Sequence, residues 1–170
     1  RDYVEAGADV IETNTFGANR IMLRPYGLAE KAEAINRQAV RLAREAAGNQ
    51  VYVAAAVGPC IRPDQIMPEE HVAEVEAAFA EQMGAFASEG VDLVVLETFT
   101  NLRELQLAAR TAKRLGMPVL ASFVLNERGE TAVGTGAEMM TQVLSADENV
   151  DAVGINCGIG PAGVFDALQA

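Results

Sequence analysis

Tryptophan is absent from this 170-residue chain, and only 5% of its residues are aromatic. Ala, Val, Leu and Gly fill the apolar half instead, which suits helices packed closely on strands better than a β-sandwich. Basic residues are scarce as well: 13 Lys and Arg stand against 24 Asp and Glu, for a net charge of −11. That field repels polyanions, so nucleic acid and anionic membranes are poor partners, whereas a small zwitterion or cation meets no barrier. The two cysteines, Cys60 and Cys157, form no CxxC, so no disulfide framework is indicated. The one histidine, His71, sits beside Glu69 and Glu70 and reads as solvated; without a second, no Ser/His/Asp or Cys/His nucleophile system is supported. No apolar run reaches the roughly 18 to 20 residues of a membrane span, and nothing resembles a signal peptide. A cytoplasmic protein is the expectation. Arg1 stands where an initiator methionine would, residues 2–7 read as the end of a helix closed by Gly7, and residues 164–170 read as a helix barely begun. The chain reads as cut at both ends.

What is present is a repeating unit. Short, nearly continuous apolar runs at residues 8–12, 51–57, 93–97, 119–124 and 152–156 have the character of strands covered on both faces, typical of parallel sheets. Amphipathic helical patterns lie between them at 28–47, 69–88, 102–115 and 137–144. The first places Ala32, Ile35, Ala39, Leu42 and Ala46 on one stripe; the second places Val72, Val75, Phe79, Met83 and Phe86. Gly48, Gly90 and Gly116 stand where helices should stop. Strand and helix alternating in this way predict an α/β fold of parallel βαβ units. At about 31 residues per unit, five strands make five-eighths of a (β/α)8 TIM barrel. The competing doubly wound sheet lacks support, because no strand is followed by GxGxxG. Residues 1–170 therefore read as the central part of a single barrel domain, a partial TIM barrel with about five βα units.

The strand ends carry the polar side chains. The first ends in Glu12-Thr13-Asn14-Thr15, the third in Glu97-Thr98, the fourth in Asn126-Glu127, and the fifth in Asn156-Cys157. In a parallel barrel these ends converge on one face, the face that holds active sites. Turn chemistry alone also favours Asn and Thr there, but a carboxylate recurring at two strand ends is costly unless used. Glu97, held by a rigid strand, can bind the ammonium group of a small substrate. Its other reading is as a helper for the next helix start, which Asn101 and Glu104 already cover as a capping-box pair. Cys157 lies in Gly-Ile-Asn-Cys-Gly-Ile-Gly-Pro, where bare glycines allow close approach. Pro161 marks the next helix, whose N-terminus favours a thiolate. Read alone, such a cysteine is either a small hydrophobe or a metal ligand. Cys60, after Gly58-Pro59, reads as a bystander thiol.

Four segments in order, AGADVIETNTFGAN, VDLVVLETFTNLRE, SFVLNERGETAVGTG and GINCGIGP, resemble homocysteine S-methyltransferases from end to end of the chain. The likeness is greatest to the homocysteine-binding barrel of cobalamin-dependent methionine synthase, or to the type fused to a methylenetetrahydrofolate reductase. This resemblance implies a barrel that transfers a methyl group to the zinc-activated thiol of homocysteine, giving methionine. It implies zinc held by three cysteines, of which Cys157 is the first and the other two lie beyond residue 170. It assigns Glu97 to the homocysteine amino group, Thr13 to a substrate-side position, Asn156 to the neighbourhood of the zinc cysteine, and Phe16 to the methyl-donor side. Asn14 and Glu12 carry over more weakly. Cobalamin or folate is the implied methyl carrier, and further domains are expected in the full-length chain.

Two alternatives remain at this level. The piece as given is an inert truncated barrel or assembly module, since one cysteine cannot hold a catalytic zinc and open sheet edges invite pairing. A phosphate-binding barrel using the Gly158-Ile159-Gly160 turn is the third reading, weakened by the lack of any Lys or Arg near that turn.

Overall fold

The computed structural model describes residues 1–49 and 51–169. A short helix α1 (Asp2–Glu5) leads into strand β1 (Val10–Glu12), followed by α2 (Arg20–Leu23) and the long α3 (Ala32–Ala47). Then β2 (Tyr52–Val57), α4 (Val72–Glu89), β3 (Leu93–Phe99), α5 (Leu102–Arg114), β4 (Val119–Phe123), α6 (Ala137–Ser145), β5 (Ala152–Ile155) and α7 (Gly160–Gln169) alternate to the end. All four strand pairings are parallel, and the spatial order is β1-β2-β3-β4-β5. Strands added always on the same side, in chain order, are the topology of a barrel wall. A doubly wound sheet would reverse direction at a switch point. The architecture is thus the expected partial (β/α)8 barrel.

Local chemistry accounts for the element limits. Helix α5 starts at Asn101, whose Oδ1 accepts from the Glu104 amide at 3.2 Å, and carries Lys113 and Arg114 in its last turn, where they complement the helix dipole. Gly90 and Gly116 take left-handed φ values of 76° and 79° to end α4 and α5. The C-terminal helix begins at Gly160, earlier than its apolar pattern from residue 164 suggests, with Pro161 in the first turn; Ala170 lies outside the described residues. The core sits between sheet and helices, where Phe79, Met83 and Phe86 of α4 meet Val94, Leu96 and Phe99 of β3. The rings of Phe79 and Phe99 lie 6.2 Å apart. Residues 53–57 of β2 are buried without a break, as its unalternating sequence requires.

Helix α3 departs from expectation. Its buried residues are Ala32, Asn36, Val40, Ala43 and Ala47, which share only Ala32 with the stripe read from sequence; Ile35, Ala39 and Ala46 are half-buried and Leu42 is 57% exposed. The helix carries two apolar faces. One packs inward; the other, with Ile35, Ala39 and Leu42, flanks a groove of about 1020 Å³ along the edge strand β1. Hydrophobicity alone could not rank two such faces.

One device recurs at the N-terminal end of the sheet. Asp92, just before β3, accepts from the amide of Val53 on β2 at 2.7 Å and pairs with Arg44 of α3 at 2.8 Å. Asp151, just before β5, accepts from the amide of Val119 on β4 at 2.8 Å and pairs with Lys113 of α5 at 2.7 Å. The Arg44 and Lys113 hydrogen bonds hold both carboxyls below the usual aspartate range. Each aspartate thus ties a strand, its neighbour and the covering helix together at the face opposite the polar strand ends.

A different acid fixes a loop at that polar face. Glu104 of α5 is 1% exposed, and its Oε1 accepts from the amides of Cys60 and Ile61 at 2.6 and 3.1 Å. Its side chain does not return to Asn101, so the expected capping box is only half formed; the carboxylate anchors the loop after β2 instead. Burial lifts its carboxyl to about 7, against the opposing pull of the two amides. Among the described residues no cation pairs with it.

Two outcomes follow. Asp92→Ala leaves the fully buried Val53 N–H without its acceptor, an expected loss of about 1–3 kcal/mol of folding stability in urea denaturation; an unchanged midpoint would show that the amide finds another partner. For Glu104 the folded carboxyl titrates above its unfolded value, so its contribution is complete at low pH and is lost as pH rises through about 7. Glu104→Gln keeps an acceptor for both amides and removes that titration. Its stability is expected to decline less than the wild type's between the unfolded carboxyl range and neutrality, and parallel curves would contradict this.

Candidate functional site

The strand ends converge at the C-terminal mouth of the sheet, and the irregular backbone of the structure is concentrated there. Between β3 and β4 the register slips: Leu96 pairs with Ala121 and Phe99 with Phe123, so β3 uses one more residue than its neighbour over this step. A bulge of this kind re-aims side chains beside active sites. Here it turns out Glu97 and Thr98. Among the described residues, the only non-glycine positions with positive φ are Thr98 at 64° and Cys157 at 60°. Each costs about 1–3 kcal/mol of backbone strain, and they are neighbours in space, with Thr98 Oγ1 3.6 Å from Cys157 Sγ.

Asn156 is the hub that holds them. Its Oδ1 accepts from the Thr98 amide at 2.9 Å and from the Ser122 hydroxyl at 2.7 Å. Its Nδ2 lies 2.8 Å from Thr98 Oγ1, 3.4 Å from Glu97 Oε2 and 3.4 Å from Cys157 Sγ. A backbone N–H can only donate, so the Thr98 amide fixes which end of the Asn156 amide is oxygen. The end of β3 and the end of β5 are thereby joined across β4.

Glu97 is half-buried in this ring, and burial, then the charge of Glu12, pushes its carboxyl above the ordinary glutamate range. Neither Glu12 nor Glu97 forms an ion pair with any described residue, whereas the aspartates at the opposite face are paired. Cys157 is exposed at the mouth. The glycine after it is obligatory: a Cβ on Gly158, at φ 68°, would collide with the Leu125 carbonyl oxygen.

The remaining expected residues are placed with different consequences. Thr13 is 4% exposed, in a closed ring of hydrogen bonds. The Ala56 amide donates to Thr13 Oγ1 at 3.2 Å, the Thr13 and Thr15 hydroxyls lie 2.6 Å apart, and the Thr15 hydroxyl donates to the Ala56 carbonyl at 2.7 Å. Since the one Thr15 hydrogen goes to Ala56, Thr13 is the donor between the two threonines, and its hydrogen is committed inside the wall. Asn14 is exposed and lines the edge groove with Glu12. Phe16 is 41% exposed and rests on Gly58, where a Cβ would stand 2.5 Å from its ring. Its carbonyl accepts from the Gly58 amide at 2.9 Å.

Cys60 is buried, and burial followed by the charge of Glu104 raises its thiol far above the usual range, so it is an inert thiol. His71 is exposed in a 3₁₀ turn before α4. The phosphate reading gains nothing from Arg128, which is paired with Glu130. Two residues of the network, Thr98 and Ser122, and the loop anchor Glu104 were not singled out in the sequence for these roles. The only written hint was the threonine directly after the strand-end glutamate.

Comparison with known proteins agrees with this fold. The family model described as homocysteine S-methyltransferase matches residues 1–170. Methionine synthases of Mycobacterium tuberculosis and Mycobacterium leprae are each 30% identical over 183 aligned residues, covering 99% of this chain and 15% of theirs. The metallated form of the homocysteine methyltransferase MmuM from Escherichia coli superimposes with a TM-score of 0.86 at 26% identity, over 99% of this chain and 64% of that one. The apo form of MmuM gives a TM-score of 0.72 at 25% identity. The chain thus spans less than two thirds of the length of these relatives. With its whole length matched and its barrel wall shared, the chain belongs to the homocysteine S-methyltransferase family.

Proposed function

We propose that the protein containing this chain transfers a methyl group to the thiol of homocysteine, giving methionine. The observation that carries the proposal is the Asn156-centred ring, which sets a carboxylate without a cation partner among the described residues beside an exposed cysteine sulfur at the mouth of the barrel. The methyl–donor bond breaks, a carbon–sulfur bond forms, and the thiol proton leaves.

The chemistry of the donors tests whether a metal fits. Cys157 offers an exposed, soft sulfur of the kind zinc selects. The Asn156 oxygen already accepts two hydrogen bonds, so sulfur is the ligand of this pair. Among the described residues no group of three or more His, Cys, Asp or Glu side chains could hold a metal ion. We propose that Cys157 is one of three cysteine ligands and that the other two come from outside these residues. The described chain alone is then catalytically silent. When bound, zinc acts as a Lewis acid that makes a coordinated thiol a thiolate at neutral pH.

The chain's own residues bind and orient the amino acid. Glu97, destabilised by burial and by Glu12, is relieved by an ammonium group. With the amino group on Glu97, the substrate's sulfur is directed toward Cys157, a contribution of orientation and not of proton transfer. Phe16 on Gly58 offers an apolar surface on the rim for the methyl carrier, a cobalamin or a folate on this reading. No helix among the described residues is long and apolar enough to cross a membrane; on this reading the full-length protein is a cytoplasmic, multidomain enzyme.

In the full-length protein, Glu97→Gln is expected to lower kcat/KM for homocysteine about 10- to 100-fold, the worth of one charge-assisted hydrogen bond, with most of the loss in KM. An unchanged KM would remove Glu97 from the amino-group site. Cys157→Ala is expected to abolish zinc-dependent methyl transfer and stoichiometric zinc binding together; retention of both would remove Cys157 from the metal.

A further inference from the structure

Thr98 is strained, yet strand propensity and packing supply no reason for a β-branched residue at a left-handed position. Its hydrogen bonds supply one. The Thr98 amide fixes the Asn156 oxygen, so the group facing Thr98 Oγ1 at 2.8 Å is the Asn156 NH₂, a donor. Thr98 Oγ1 is therefore the acceptor in that contact, and its own hydrogen points elsewhere. The other polar partner within reach is Cys157 Sγ, at 3.6 Å, inside the range for bonds to sulfur. The direction runs from Ser122 hydroxyl to Asn156 oxygen and from Asn156 NH₂ to Thr98 oxygen; a ligating thiolate carries no hydrogen, so with Cys157 in that form the last bond runs from Thr98 hydroxyl to Cys157 sulfur. The Asn156 NH₂ also approaches the same sulfur at 3.4 Å.

We propose that Thr98 is a positioning residue of the reaction: its hydroxyl donates to the sulfur of Cys157, holding that sulfur on the Glu97 side of the mouth and drawing charge from it. The assignment rests on the reading of Cys157 as a metal ligand. Partners of a ligating atom orient it and tune its basicity, so their loss weakens the metal site even when no ligand is removed. The strained backbone at both residues follows from this task. Each is turned out of the extended conformation so that one side chain meets the other. The residue at position 98 therefore needs a hydroxyl more than a favourable φ.

The test uses full-length protein loaded with zinc or, for spectroscopy, with cobalt(II). Thr98→Val keeps the shape of the side chain and removes the donor; Thr98→Ser keeps the donor and removes the methyl group. In chelator competition, Thr98→Val is expected to weaken zinc binding about 10- to 100-fold, while Thr98→Ser binds as the wild type does. In the cobalt protein, the sulfur-to-metal charge-transfer band is expected to move to lower energy in Thr98→Val, because an unbonded thiolate is richer in electrons, and to stay in place in Thr98→Ser. A merely structural role would lower the melting temperature without moving that band. Wild-type affinity and an unmoved band in Thr98→Val would overturn the proposal, as would a serine variant that falls as far as the valine variant. If Thr98→Val does not fold, Thr98→Ala stands in for it with the same expectations. Cys157→Ala separates the two levels. Tight zinc binding in that variant defeats the ligand reading itself, whereas its loss beside an unaffected Thr98→Val defeats only the assignment of Thr98.

Discussion

One amide side chain governs the mouth of this barrel. Asn156 accepts on one side from the backbone of β3 and from Ser122 of β4, and donates on the other toward Thr98, Glu97 and Cys157. Each of those groups sits at the end of a different or bulged strand, where the regular ladder has run out. Without Asn156, two residues in left-handed conformations would lose the bonds that offset their strain, and the carboxylate and sulfur would be free to swing apart. Side chains on rigid elements, locked by a surrounding layer of hydrogen bonds, are what a site needs in order to hold a substrate in one orientation.

The two ends of the sheet hold their acids in different ways. At the N-terminal end, Asp92 and Asp151 each have a helix cation and a strand amide, and their carboxyls are held low. At the mouth, Glu97 has neither a cation nor a backbone donor among the described residues, and its carboxyl is held high by burial and Glu12. An acid satisfied within the fold contributes to stability; one left unsatisfied and half-buried is a candidate for a ligand. Glu104 falls between these cases, buried and bonded to two amides of the loop after β2. The same side-chain type thus does three jobs, decided by its partners.

The fold was largely legible in the sequence because strands covered on both faces leave unbroken apolar runs, and glycines mark where helices must end. All five strands and the four long helices between them lie where periodicity puts them. The errors have physical causes. The stripe on α3 was misread since the helix carries a second apolar face toward the edge groove, and composition cannot say which is covered. Glu104 was taken for half of a capping box because the spacing fits, but the carboxylate finds two better donors in a loop more than 40 residues earlier. At the mouth, Glu97 and Cys157 stand out by chemistry at strand ends and by family likeness, and the structure brings both against Asn156. Thr98 does not stand out, because what sets it apart is a dihedral angle and contacts made across the strands. Thr13 was visible as a motif residue, yet the closed ring with Thr15 and Ala56 is a property of two paired strands, absent from any local pattern.

The central claim is that Glu97 and Cys157 act on one bound amino acid, the first on its ammonium group and the second on the metal that meets its sulfur. A crystal structure of the full-length protein with zinc and homocysteine measures this directly. The account requires Cys157 Sγ at about 2.3 Å from the metal, with the substrate nitrogen in hydrogen-bond contact with the Glu97 carboxylate. A metal bound without the Cys157 sulfur, or an amino group held elsewhere while Glu97 faces solvent, would contradict it.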